Sequence, residues 1–117
     1  MKDEGLMFPR ENRLRLKPNG YKEICKLVDE RDGNKCVICG SAWNIHHHHC
    51  RFRSACGSDT IDNLVDVCAR CHDLYCHGSK EKRWVETLKD YLSSEKCTIF
   101  NKIHDKEIKN IYKRYAK

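Results

Sequence analysis

The chain has 117 residues, 39% of them hydrophobic and 34% charged, with a formal net charge of +6. That length suits one domain with a small core, and the charge content argues against a large packed one. No apolar run approaches the ~18 residues of a membrane-spanning helix. The start, MKDEGLMFPREN, lacks the apolar stretch of a secretory signal, so the expected compartment is the cytoplasm.

Residues 1–20 read as a basic, irregular arm that contains both prolines, Pro9 and Pro18, and ends in Pro-Asn-Gly. From Tyr21 to Asp32, the apolar positions Ile24, Cys25, Leu27 and Val28 recur at helical spacing. Gly33 and Asn34 suit the end of that helix. CVICG, residues 36–40, reads as a tight knuckle. Asn44 to Phe52 is short and poor in helix signals, and reads as a strand. Residues 54–59, with Gly57, Ser58 and Asp59, read as loop. NLVDV, residues 63–67, suits a second strand.

A helix is predicted from Ala69 to His77, ended by Gly78. Two more follow, over Lys82–Leu92 and Ile103–Tyr115. The first carries Trp84, Val85, Leu88, Tyr91 and Leu92 on one stripe, and the second carries Ile108, Ile111, Tyr112 and Tyr115. Aromatic residues on such stripes are expected in the core. Lys106, Lys109 and Lys113 of the last helix either line a phosphate-binding face or form its wet side.

The charge is uneven. Residues 21–79 hold seven basic and eight acidic side chains, whereas residues 80–117 hold eleven and six and residues 1–20 hold five and three. A balanced middle with basic flanks fits contact with a polyanion such as nucleic acid, and equally a well-solvated surface.

Nine cysteines are many for this length, and an odd number cannot all pair within one chain. In a chain with no secretory signal they point to metal rather than disulfides. Cys36-Val-Ile-Cys39 and Cys68-Ala-Arg-Cys71 are two CxxC pairs separated by 28 residues. Together they offer the four thiolates that structural zinc prefers, and a redox or plain-core role is the lesser reading. Zinc there would supply much of the folding free energy of so small a segment. Cys25 lies in an apolar stripe and reads as core, while Cys97 has no visible partner. The gap between the pairs is longer than in small zinc fingers, so the insert should carry something of its own.

It carries NIHHHHC, residues 44–50. Four histidines in mid-chain are misplaced for an expression tag, and suit a metal site or a general base. The order is CxxC, NIHHHH, the basic RFRS, CGSDTIDNLV, then CxxCH and CHG. On Cys36, Cys39, His48, His49, Arg53, Ser54, Gly57, Asp62, Asn63, Leu64, Cys68, Cys71 and His72 the chain resembles the HNH endonuclease family. The resemblance spans Tyr21 to Gly78 and is nearest to the small stand-alone proteins of phages and mobile elements.

The resemblance implies a small α+β fold. Its centre is a ββα-metal (HNH) core with a four-cysteine structural zinc, flanked by an N-terminal helix and C-terminal helices. It divides the chain into the arm at 1–20, a nuclease domain at 21–79 and a basic helical extension at 80–117. It implies hydrolysis of DNA to 5′-phosphate and 3′-hydroxyl ends with Mg²⁺, Mn²⁺ or Ni²⁺. Counting back from Asn63 and Gly57 puts the catalytic pair at His48 and His49. His48 and His72 would then be metal ligands, His49 the general base, and Asn63 the residue that holds the loop and orients that base. His46 and His47 fall on ordinary strand positions and read as incidental, with contact to DNA or metal by one of them the lesser reading.

The family often has a histidine four positions after His72; here that position is Cys76, and His77 follows. A thiolate suits a hard cation poorly, so His77 is the tentative third ligand. Cys56 stands where the family often has glycine. Arg51 and Arg53 are candidate phosphate contacts. DNA is the expected partner, with no membrane involved and a phage-packaging or other protein partner left open. The alternative is a catalytically inactive, zinc-stabilised nucleic-acid-binding module.

Overall fold

A computed structural model of the chain describes residues 14–50, 58–73 and 81–117, with the side chains of residues 81–85 outside that description. The predicted positions Arg51, Arg53, Ser54, Cys56, Gly57, Cys76, His77 and Gly78 lie outside the described residues.

Helix α1 runs from Pro18 to Asp32, so it opens inside the stretch expected to be irregular. Proline at the first turn explains the earlier start: it lacks an N–H that the first turn leaves unbonded anyway. Gly33 ends the helix in the left-handed region at φ 75°, and its N–H bonds the Asp29 carbonyl. Just before α1, Leu16 is buried and bridges to Ala116 at the other end of the described chain.

Strands β1 (Ile45–His49) and β2 (Leu64–Cys68) pair antiparallel, with His47 opposite Asp66 and His48 opposite Val65. A short 3₁₀ turn, Ile61–Asn63, leads into β2. Helix α2 covers Ala69–Cys71, and helical backbone continues through His72. Helices α3 (Glu81–Leu92), α4 (Glu95–Ile103) and α5 (Asp105–Tyr115) complete the described chain. The result is a small α+β fold, with five helices and a two-stranded sheet among the described residues. No described helix is long and apolar enough to cross a membrane.

Each position of β2 is buried, so the sheet is covered on both sides. On one side Leu64 meets Ile24, Leu27 and Val28 of α1 and Ile108 and Ile111 of α5. On the other, Val65 and Val67 pack with Cys36, Cys68, Cys71 and Leu88. The two apolar clusters are small, and a buried ionic knot joins them. Arg31 Nε donates to Asp32 Oδ1 at 2.8 Å, and its guanidinium also donates to the Ile61 and Leu64 carbonyls. Asp32 accepts the Asp66 N–H at 2.9 Å and the Tyr91 hydroxyl. One pair thus ties α1, the 3₁₀ turn, β2 and α3.

Helix α4 is absent from the sequence expectations, and Ile103 closes it rather than opening the last helix. Ser94 caps it by accepting the Cys97 N–H at 3.4 Å. Cys97 is fully buried. In α5, the stripe of Ile108 and Ile111 faces the core as expected. The Tyr112 hydroxyl accepts the Ile61 N–H at 2.9 Å.

Candidate metal centre and histidine cluster

The knuckle around Cys36 turns tightly because Gly40 adopts φ 81° and donates its N–H to the Cys36 carbonyl at 2.8 Å. Val37 N–H bonds the Asp66 carbonyl at 3.0 Å, which docks the knuckle against β2. The second pair sits where β2 passes into α2, with Cys71 N–H pointing at Cys68 Sγ at 3.5 Å. Cys39 Sγ lies 3.6 Å from Cys68 Sγ, and the four sulfurs all fall within 4.8 Å of one another. A zinc ion with ~2.3 Å bonds at tetrahedral angles needs sulfurs about 3.8 Å apart. The donor set therefore fits a metal such as zinc.

The protonation pattern also fits. Burial pushes the Cys36 thiol up, but backbone hydrogen bonds outweigh it and bring that group down to about 7. Burial and then the neighbouring thiols push Cys71 well above the usual thiol range. Four crowded thiols resist becoming thiolates together unless a cation balances them.

The four histidines divide by strand alternation. His46 and His48 turn toward His72, with ring centroids 5.5 Å and 5.1 Å away and edge-to-face geometry. His47 and His49 turn toward α1. His49 stacks parallel on Tyr21 at 6.0 Å, and His47 Nε2 lies 2.8 Å from Asp29 Oδ1. So the predicted pair His48 and His72 is brought together, while His49 projects from the opposite face of the strand.

His49 Nε2 meets Asp59 Oδ1 at 2.9 Å. Asp59 is fully buried; its other oxygen accepts the Leu16 N–H at 3.1 Å, and Arg15 approaches at 3.5 Å. Asp59 is the site residue that the sequence reading missed: its loop marks a turn, and nothing local shows that the carboxylate turns inward. Asn63, expected to orient the base, donates from Nδ2 to the Ser58 carbonyl at 2.9 Å, and its backbone carbonyl accepts the Cys50 N–H at 2.8 Å. It holds the segment that carries Asp59.

His47 was expected to be incidental, yet it contacts two carboxylates: Asp29, and Asp66 Oδ1 at 3.6 Å. Burial, and then Asp29, push the Asp66 carboxyl up to about 8. Among the described residues, the four cysteines and the Asp29–His47–Asp66 trio are the groups whose ligand atoms converge. Lys106, Lys109 and Lys113 are exposed, with Lys109 paired to Asp105 at 3.1 Å. No protein-family model, curated protein or solved structure matches the chain.

Proposed function

We propose that the chain is a metal-dependent HNH-type endonuclease or nickase that hydrolyses DNA to 5′-phosphate and 3′-hydroxyl ends. The observation that carries this reading is the approach of His48 to His72, at 5.1 Å between ring centroids, beside the four-cysteine cluster. Two imidazoles binding one ion at about 2.1 Å, roughly 100° apart, put their ring centroids on the order of 5 Å from each other. The succession β1, β2, α2 supports a ββα-metal core, with one cysteine pair before β1 and the other where β2 passes into α2.

In this reading Cys36, Cys39, Cys68 and Cys71 hold structural zinc. His48 and His72, with His77 as a third ligand, would hold Mg²⁺, Mn²⁺ or Ni²⁺, which when bound supplies charge stabilisation at the phosphate. His49 is the general base. Its Nε2 is engaged by Asp59, which leaves Nδ1 to take a proton from water. Metal binding and proton transfer thus belong to neighbouring side chains on opposite faces of one strand. Asn63 keeps the Ser58–Asp59 segment in place. Arg51, Arg53 and the exposed lysines of α5 contact phosphates without reading sequence.

The test is plasmid nicking with Mg²⁺, Mn²⁺ or Ni²⁺, comparing the wild type with His49→Ala. Cleavage by the wild type alone, at equal zinc content and melting temperature, is expected. Equal cleavage by the variant would refute the assignment of the base. DNA binding without cleavage under any of the three metals would instead identify an inactive zinc-stabilised binding module.

A further inference from the structure

The face of β1 opposite His48 carries a second convergence of ligands. His47 Nε2 lies 2.8 Å from Asp29 Oδ1 and 3.6 Å from Asp66 Oδ1, and ligand atoms of all three residues fall within 4.8 Å of one another. A plain Asp–His hydrogen bond accounts for Asp29 and His47. It does not account for Asp66, which is 0% exposed with neither carboxylate oxygen hydrogen-bonded. A buried carboxylate that accepts no hydrogen bond is costly. The nearby buried cation offers Asp66 its charge but no hydrogen bond: Arg31 directs its hydrogen bonds to Asp32 and to the Ile61 and Leu64 carbonyls.

We infer that Asp29, His47 and Asp66 form a divalent-cation site that clips α1 to the β1–β2 pair, separate from the four sulfurs and from His48 and His72. Two carboxylates and one imidazole suit Mn²⁺ or Zn²⁺ better than a soft ion. Two negative ligands balance the ion's charge. The Asp29 and His47 side chains are each 30% exposed, which gives the ion an entry path and room for water ligands. The site stands independently of the nuclease reading.

Mn²⁺ is the suitable probe, because thiolates bind it weakly and it leaves a zinc–sulfur cage intact. The experiment uses the full chain as purified, in a His72→Ala background that disables the other candidate site. Bound Mn²⁺ is counted by loss of the free-ion paramagnetic resonance signal. His72→Ala is expected to bind Mn²⁺ and to melt a few degrees higher with it, as a ligand selective for the folded state requires. Adding His47→Gln or Asp66→Asn is expected to remove about one bound ion per chain and the thermal shift. The inference is overturned if His72→Ala binds no Mn²⁺, or if His72→Ala/His47→Gln binds as much as its parent. Should Asp66→Asn fail to fold, the partly exposed His47→Gln decides the matter alone.

Discussion

His49 and Asp59 meet at 2.9 Å between Nε2 and Oδ1, and the same carboxylate is fastened to the backbone of Leu16. A base histidine must keep one nitrogen proton-free and aimed, and a buried carboxylate on the other nitrogen does both. Asp59→Asn retains shape but can donate from its amide to Nε2, which favours the tautomer with the proton on Nδ1. Under the proposed nuclease reading, cleavage should therefore fall by ~10²–10⁴-fold in kcat with little change in KM. The pH–rate profile should shift, which a merely structural loss would not produce. Unchanged kcat in plasmid nicking would remove Asp59 from the positioning role.

Removal of a metal held by the four sulfurs, as proposed, should be more drastic than any single core substitution. A structural zinc contributes ~10–16 kcal/mol in small domains, whereas a whole domain is stable by about 5–15 kcal/mol. The apolar cluster beside the cysteines is small, with Val65, Val67 and Leu88 its fully covered aliphatic side chains among the described residues. Elemental analysis should find zinc in the purified protein, with Cys36→Ala or Cys71→Ser losing about one ion per chain. Those variants, and the wild type after strong chelation, should lose cooperative melting. Native-like melting without the metal would show that apolar burial suffices.

The buried knot at the end of α1 permits a separate test by comparing a single with a double variant. Asp32 takes hydrogen bonds from Arg31, the Asp66 backbone and Tyr91, and both members of the ion pair are fully buried as side chains. Asp32→Ala leaves the guanidinium buried without its anion and should destabilise by about 3–5 kcal/mol. Arg31→Met combined with Asp32→Leu should be less damaging than Asp32→Ala alone, because no charge remains unpaired. Urea unfolding monitored by circular dichroism gives both values. An Asp32→Ala loss below about 1 kcal/mol would mean that water reaches the pair.

What the sequence revealed depended on the range of the signal. The stripe of Ile24, Leu27 and Val28 is local, and α1 lies where that stripe predicts. Period-2 alternation is also local, and it separates His48 from His49 as expected. Helix α4 escaped because Ile99 and Ile103, two of its apolar residues, face solvent and so blur the helical stripe. Its capping serine was the available clue. Asp59 and the His47–Asp66 pairing were illegible for a different reason. Each depends on which distant segment folds against the residue, and a turn-rich loop or a histidine run carries no record of that.

Gly20 illustrates the same limit and yields the sharpest stability prediction. In the sequence it reads as the last residue of an irregular arm. In the fold it is buried inside α1 where α5 crosses, and a Cβ added to it would lie 2.2 Å from Tyr115 Cβ. The obstacle is the root of the tyrosine side chain, which cannot swing away without moving α5. Helix propensity alone favours alanine over glycine by about 1 kcal/mol, so in an uncrowded helix Gly20→Ala would stabilise. Here overpacking of about 1–3 kcal/mol or more should win. Thermal melting of Gly20→Ala should thus fall, and adding it to a Tyr115→Gly background, which lacks the obstructing Cβ, should cost less than adding it to the wild type. A rise in melting temperature for the single variant would mean that α1 and α5 do not cross closely at this point.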